Sequence, residues 1–234
     1  MENVLGSFEP LELLEEQRDW NSPIDYKGSA SEELQHLLNF GFNVNFYLHG
    51  WVDEVNKSIQ FFQRKKWISD LFEEDEYKIL SFNYTMTIEK LYNKSVFHVH
   101  GKGKEKLIMG HANPEGGDIQ GTDFGINLIN QKYVRKYFRR TCKNPQKIIE
   151  QHADFFSKEN LTSIRKVYIL GHSLNYIDMP YIETLLKLVR DAVKWVIVYY
   201  DEPNKEYYKK IANKIFANND KYELISWKNL EKQF

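Results

Sequence analysis

Several features are scarce or missing in this chain of 234 residues. It has one cysteine, Cys142, which excludes an internal disulfide and is typical of proteins that fold in a reducing cytosol. No apolar run approaches the ~20 residues that cross a bilayer, and the run Val196–Tyr200 has the length of a strand. The first residues show no basic segment followed by an apolar one, so we expect no secretory signal and a cytoplasmic location.

The chain also lacks an excess of either charge. It carries 32 lysines and arginines against 33 aspartates and glutamates, a formal net charge of -1. A general attraction to nucleic acid or to an anionic membrane is therefore not indicated. A local basic run is interleaved with aromatic residues: Lys132, Tyr133, Arg135, Lys136, Tyr137, Phe138, Arg139, Arg140 and Lys143. A nucleic-acid interface is one interpretation of this run, but a helix with one basic face is more often only solvated, so we expect no nucleic-acid partner.

The residues that are present predict a packed α/β protein. Hydrophobic residues make up 42% and aromatic residues 15% of the chain, which is enough for a core. Residues 1–76 are predicted to form a mainly helical N-terminal region, with helices over 9–20, 29–38 and 52–71. Residues 77–234 are predicted to form an α/β core, continuous with the first region as one domain.

The α/β core is predicted from an alternation of strands and helices. Predicted strands cover 77–82, 96–99, 106–109, 166–170, 195–200 and 222–225, and predicted helices cover 85–92, 127–138, 145–157, 178–193 and 204–216. Strands that alternate with helices imply right-handed crossovers and a mostly parallel sheet flanked by helices on both faces.

Two polar residues at predicted strand ends are candidates for a reaction centre. Asn83 follows the first predicted strand, and its amide can hold a carboxamide, a ribose or a water. His100 follows the next strand and can act as a general base near neutral pH, while Gly101 allows a substrate or a loop to approach closely. Ligands of α/β proteins bind at the carboxyl ends of the strands, so this pair predicts a site.

The neighbours of this pair allow simpler interpretations. His98 and His100 share a sheet face and could bind a metal, but the spacing to His111 and His172 matches no metal motif. We therefore favour a core histidine, satisfied by a main-chain carbonyl, for His98. Thr85 or Thr87 could cap the following helix, and Glu89 could complete a capping box with either.

A second candidate surface follows the later strands. Gly171 and Ser173 leave a strongly apolar strand, and their main-chain N–H groups could bind ribose or phosphate. Asp178 could accept a hydrogen bond from a sugar hydroxyl or cap the next helix. Asp201 follows the next strand, where carboxylates often meet ribose hydroxyls, or it could cap the helix that begins near Pro203.

Four segments, in this order and spacing, together resemble the bacteriophage abortive infection AbiH family. They are residues 82–92, 98–101, 108–111 and 171–178, and the resemblance covers about residues 30–230. It implies a role in defence against phage.

The AbiH pattern is in turn similar to the sirtuin-like (SIR2) domains of phage-defence systems, which bind NAD in a Rossmann-type fold and several of which hydrolyse it. By this resemblance Asn83 holds a water or the nicotinamide end, and His100 is the base. Glu89 stands at the matching separation from Asn83, and Gly101 completes the histidine motif.

The same resemblance extends to the second candidate surface. Gly171 and Ser173 match the ribose-binding turn, and Asp201 falls where the sirtuin pattern contacts the adenine ribose. Thr85 stands where that pattern has an aspartate, so NAD binding is better supported than NAD cleavage. A glycine-rich opening segment, usual in AbiH-like proteins, is not found, and a single cysteine excludes the paired C-x-x-C zinc module of protein deacylases.

We therefore expect a phage-defence protein with a Rossmann-like pocket that binds and hydrolyses NAD or a related nucleotide. In this hypothesis Asn83 and His100 meet across the pocket, and the turn over 171–173 forms its wall. NAD is the expected substrate or ligand, with no permanently bound cofactor and no metal. The alternative is a non-catalytic module that senses a nucleotide or a phage protein, including as a truncated family member. A phage or host protein is the expected trigger, self-association into a homo-oligomer is compatible, and no membrane partner is expected.

Overall fold

The structure is a computed structural model, and it describes residues 43–44, 46–73, 77–111, 135, 139, 142–216 and 219–234. The predicted helices over 9–20 and 29–38, and all of that over 127–138 except Arg135, lie outside these residues. The chain forms two compact units. Of the described residues, the first unit contains 43–44, 46–57, 83–85, 100–111, 135, 139 and 142–143, and the second contains the rest. The predicted division between residues 76 and 77 stays a prediction.

Eight helices and five strands have bounds within the described residues, and residues 43–44, 135 and 139 are helical as well. In chain order, these helices and strands are α1 (46–58), α2 (Lys66–Leu71), β1 (Leu80–Ser81), α3 (Thr87–Tyr92), β2 (Phe97–His98), α4 (Pro145–Gln151), α5 (Lys158–Leu161), β3 (Lys166–Leu170), α6 (Met179–Leu188), β4 (Lys194–Tyr199), α7 (Glu202–Ile215), β5 (Tyr222–Ser226) and α8 (Trp227–Glu231), with 3-10 turns at Ile59–Phe61 and Asn219–Lys221. None of these helices has the length and the apolar composition needed to cross a membrane.

Both sheets of the second unit are parallel. Strands β3, β4 and β5 lie side by side in this order, with Ile197 of β4 opposite Ile169 of β3 and Leu224 of β5. Strands β1 and β2 form a short parallel pair with Leu80 opposite Phe97. Parallel pairing needs a crossover for each neighbour, and α3, α6 and α7 are the helices in these crossovers.

Helices cover both faces of the three-stranded sheet. On one face, Trp195 and Ile197 pack against Ile182 of α6 and Ala212 of α7. Two right-handed crossovers that advance in one direction place their helices on the same face, as found for α6 and α7. On the other face, Val196 and Val198 pack against Trp67 of α2 and Leu230 of α8. The predicted α/β fold, a parallel sheet flanked by helices, is confirmed.

Two predicted elements are wrong in their local structure. The helix predicted over 52–71 is interrupted at 62–65, because Lys65 is extended and its N–H donates to the hydroxyl of Tyr92, 3.0 Å away. The strand predicted over 106–109 is irregular, because Ile108 returns its N–H to the carbonyl of His100 at 2.9 Å and closes a loop. The helices predicted over 145–157 and 178–193 end earlier, at Gln151 and Leu188.

Truncation of Ile197 tests the central position of β4. Ile197 has no exposed surface, so Ile197→Ala should lower the free energy of unfolding by about 2–5 kcal/mol through lost burial and the cavity left behind. Urea denaturation measures this loss. The matched variant is Leu170→Ala on the neighbouring strand, where 37% of the residue is exposed, and it should cost clearly less. Equal losses would contradict the burial of β4.

Candidate functional site

The turn after β3 has unusual backbone at both ends. Gly171 and Leu174 both have left-handed backbone, with φ of 64° and 52°. This conformation costs an L residue other than glycine about 1–2 kcal/mol. Other interactions must therefore stabilise Leu174 in this conformation. Its N–H donates to Nδ1 of His172 at 2.9 Å, and its side chain is 2% exposed. Burial and this hydrogen bond together fix the turn.

Helix α7 holds the carbonyl groups of the same turn. The hydroxyl of Tyr208 donates to the carbonyl of His172 at 3.1 Å, and the hydroxyl of Tyr207 donates to that of Ser173 at 2.9 Å. Within the part of the chain that the structure describes, the main-chain N–H groups of His172 and Ser173 donate to no acceptor. Ser173 is exposed. The turn can therefore offer donors to the oxygen atoms of a ligand.

Asp178 lies beside the ring of His172. Its Oδ2 is 3.6 Å from Nε2 of His172, and the residue is 7% exposed. Asp178 occupies the N-cap position of α6, but its side chain makes no capping hydrogen bond. Of the two roles left open by the sequence, side-chain capping is not found, and contact with a nucleotide stays a prediction. The ring of Phe82 packs on the other side, 4.1 Å between ring centroids.

Asp201 has the capping role. Its carboxylate accepts from the main-chain N–H of Asn204 at 3.2 Å and also from the side-chain amide of Asn204. Asp201 is exposed at the carboxyl end of β4. This cap accounts for an acidic residue at this position without a ligand, and the predicted ribose contact stays a prediction.

Glu89 binds a histidine of its own unit. Its Oε1 lies 2.9 Å from Nε2 of His98, and the side chains are 17% and 3% exposed. One partner of His98 is therefore this carboxylate, and the expected main-chain carbonyl stays a prediction. The N-cap position of α3 is occupied by Met86, whose side chain makes no capping hydrogen bond. The capping role of Thr85 or Thr87 stays a prediction. The predicted nucleotide contact of Glu89 stays a prediction.

The first unit contains Asn83, Thr85, His100 and Gly101. Asn83 is exposed, Thr85 is half-buried, and His100 is buried with 2% exposure. Tyr84 connects this part of the unit: its carbonyl accepts from the N–H of Gly103 at 3.1 Å, and its hydroxyl donates to the carbonyl of Ile108 at 2.9 Å. The predicted meeting of Asn83 and His100 across a pocket stays a prediction.

Gly101 is required by the loop that follows His100. Its φ is 77°, and a Cβ atom added there would lie 2.3 Å from the carbonyl oxygen of Lys106. The loop closes just beyond, where the N–H of Ile108 meets the carbonyl of His100. The close approach expected at this glycine is therefore made by the loop itself.

The first unit also buries two polar residues, His111 and Lys143, next to the half-buried Cys142, and the sequence did not single these out as a group. His111 has no exposed surface, and its carbonyl accepts from the N–H of Lys143 at 2.7 Å. Burial lowers the pKa of His111 and raises the pKa of the Cys142 thiol. Lys143 is 2% exposed, whereas Arg135 and Arg139 of the same basic run are exposed. No pattern in the sequence distinguishes Lys143 from its solvated neighbours.

The sequence leaves metal binding by the histidines as a possibility without a matching motif. Among the residues that the structure describes, no group of three or more His, Cys, Asp or Glu is placed to hold a metal ion.

Three glycine-to-alanine variants distinguish the energetic cost of left-handed backbone from the cost of steric overlap. Gly171→Ala should cost about 1–2 kcal/mol of unfolding free energy for its left-handed backbone alone, because the nearest atom, on Trp227, is 4.0 Å away. Gly101→Ala should cost more, because it adds the overlap with Lys106. Gly50→Ala in α1 should stabilise by about 0.5–1 kcal/mol, because no atom of the described residues lies within 4 Å of the added Cβ. Urea denaturation gives the three values, and equal losses at Gly101 and Gly171 would refute the Lys106 contact.

His111 should make the protein less stable in acid. Its pKa is lowered in the folded state, so below a pH of about 6.5, the ordinary histidine pKa, the unfolded state binds more protons than the folded state. The free energy of unfolding then declines as the pH falls through this value. In His111→Gln the decline between pH 7.5 and 5.5 should be smaller, as measured by urea denaturation at each pH.

The control for this prediction is His152→Gln, which changes an exposed histidine. Each variant is compared with itself at two pH values, so a uniform loss of stability from the glutamine does not affect the result. An unchanged decline in His111→Gln would show that other groups cause the acid lability.

Comparison with known proteins identifies a family for this chain. The family described as bacteriophage abortive infection AbiH matches residues 9–199, which is most of the chain. No curated protein and no solved structure matches. The extent of the family match covers both candidate surfaces up to β4. This chain is therefore a member of the bacteriophage abortive infection AbiH family.

Proposed function

We propose that this AbiH-family protein acts in abortive infection by binding NAD or a related nucleotide at the turn over 171–174 and by hydrolysing it. His100 is the proposed general base, and Asn83 holds the attacking water or the nicotinamide end. The family match supports the role in abortive infection. The nucleotide and its hydrolysis rest on the resemblance to sirtuin-like domains and on the geometry of the turn.

The turn is the single observation that carries the nucleotide proposal. It leaves the carboxyl end of β3 in a parallel sheet, which is where α/β proteins bind their ligands. Its carbonyl groups are held by α7, and no described acceptor takes the N–H groups of His172 and Ser173. Such N–H groups suit the oxygens of a ribose or a pyrophosphate.

The proposed reaction is hydrolysis of the N-glycosidic bond of NAD. The bond between the ribose and nicotinamide breaks, and neutral nicotinamide leaves with the electron pair. Water attacks the oxocarbenium-like ribose carbon and gives up a proton, which His100 accepts. The products are nicotinamide, ADP-ribose and one proton, so the reaction consumes NAD and arrests the infected cell.

Binding without turnover is the second candidate function. Thr85 stands where the sirtuin-like pattern has an aspartate, and a hydroxyl offers no negative charge to an oxocarbenium-like ribose. A module of this kind would sense a nucleotide and pass the signal to a partner protein.

The test measures nicotinamide released from NAD by the purified protein. His100→Ala should reduce release by about 10²-fold or more, as expected for loss of a general base. Asn83→Ala should reduce it by about tenfold, the value of a lost hydrogen bond to a reacting group. Asn83 is exposed, so this variant should keep its fold, and a thermal melt checks the fold of His100→Ala.

The matched control is Asn229→Ala, which removes an exposed asparagine side chain on α8 and should leave release unchanged. Calorimetry with NAD distinguishes the two candidate functions, since binding without product supports the sensing module. Nicotinamide release is also measured in phage-infected bacteria that express the original chain or its variants. This measurement detects an activity that requires a trigger. If none of these assays shows NAD binding or product formation, the nucleotide proposal is rejected.

A further inference from the structure

We propose that His172 is a positioning residue of the nucleotide-binding turn, and that Asp178 acts through His172 rather than on the nucleotide. This inference rests on the proposed function. The sequence left Asp178 as a nucleotide contact or a helix cap and gave His172 no part in that site. Here Asp178 takes a third role, and His172 joins the site.

The hydrogen bonds of the His172 ring define its tautomer. Nδ1 accepts from the N–H of Leu174 at 2.9 Å, so this nitrogen carries no proton. The ring proton of the neutral histidine is then on Nε2, which faces Oδ2 of Asp178 at 3.6 Å. This separation is too long for a hydrogen bond, but a carboxylate so close favours the tautomer with its N–H on that side. Asp178 therefore keeps Nδ1 free to accept.

The N–H that Nδ1 accepts belongs to Leu174, the residue of this turn with strained backbone. Leu174 has left-handed backbone, which is strained for leucine. If its N–H were released, the turn could relax and rotate the peptide groups of His172 and Ser173. The carbonyls of these two residues are held by Tyr208 and Tyr207. The ring of His172 thus completes the set of contacts that keeps their N–H groups in one arrangement.

A packing role for the same ring is the rival explanation. The ring centroid of His172 lies 4.1 Å from that of Phe82, at an interplanar angle of 49°. Packing needs a flat ring at this position, whereas positioning needs an acceptor for the N–H two residues further on. Two substitutions separate these requirements, because each keeps one and removes the other.

The experiment compares His172→Asn with His172→Phe. The side-chain oxygen of asparagine accepts an N–H two residues on, as in an Asx turn, so His172→Asn keeps the acceptor and loses the ring. His172→Phe keeps the ring and loses the acceptor. Calorimetry with NAD should show the dissociation constant of His172→Asn within about threefold of the original and that of His172→Phe raised about tenfold, the size of one lost hydrogen bond.

Amide hydrogen exchange at Leu174 is a readout that needs no nucleotide. Exchange of this N–H should be faster in His172→Phe by about tenfold, which corresponds to one lost hydrogen bond, and close to the original rate in His172→Asn. A packing role predicts the reverse order of the two variants in both measurements. That order, or equal effects of the two variants, would overturn the positioning role.

Asp178→Asn tests the second half of the proposal. It should weaken NAD binding in the original protein and have no further effect in the His172→Asn variant, because the two residues act in series. An equal loss in both backgrounds would mean that Asp178 contacts the nucleotide itself, and would overturn this half. If the unchanged protein binds no NAD, the proposed function fails and the inference fails with it; if it binds and the variants behave alike, only the inference fails.

Discussion

The burial of β4 between two parallel neighbours is the constraint on which the second unit depends. Every residue from Trp195 to Tyr199 is buried, so the strand contributes side chains to the core on both faces. The register with β3 and β5 then aligns the carboxyl ends of all three strands. Because of this alignment, the turn that follows β3 and the cap of α7 leave from one edge of the sheet. The candidate nucleotide surface is a consequence of how the core is packed.

Irregular backbone near strand ends is stabilised in two different ways in this chain. After His100, the loop approaches itself so closely that only a glycine fits at position 101. After β3, space is available, and a leucine in left-handed backbone is held by a side-chain acceptor and two tyrosine hydroxyls. The first solution depends on the absence of a side chain. The second depends on side chains from the turn and from α7, so it is more sensitive to substitution at a distance.

The sequence was sufficient to predict the strands and helices that depend on a local hydrophobic pattern. Strands β3 and β4 are continuous apolar runs between polar ends, and the predicted bounds agree with the structure to within one residue. The break at 62–65 was not predictable, because it depends on a hydrogen bond from Lys65 to Tyr92, 27 residues away. For the same reason the pairing of Glu89 with His98 was missed: spacing suggests a capping box, and only the tertiary structure shows the nearer partner.

The candidate site was predictable in its residues more than in their roles. Gly171 and Ser173 stand out because they follow the strongest strand, but the contribution of His172 depends on which ring nitrogen faces Leu174. Asp178 and Asp201 look alike in the sequence, since each precedes a helix after a strand. In the structure one caps its helix and the other faces a histidine. Burial of Lys143 had no local signal at all.

The chain carries its own chemical reporter of opening in the first unit. Cys142 is the only thiol, its Sγ donates to the carbonyl of Lys143 at 3.2 Å, and burial raises its pKa. Thiolate is the nucleophilic form that attacks alkylating reagents, so the native protein should be labelled slowly. Local separation of the paired segments at His111 and Cys142 would restore an ordinary thiol. Because the thiol is half-buried and also reacts slowly in the native protein, an increase in alkylation rate above this native value reports opening of this part of the protein, with no need to introduce a label.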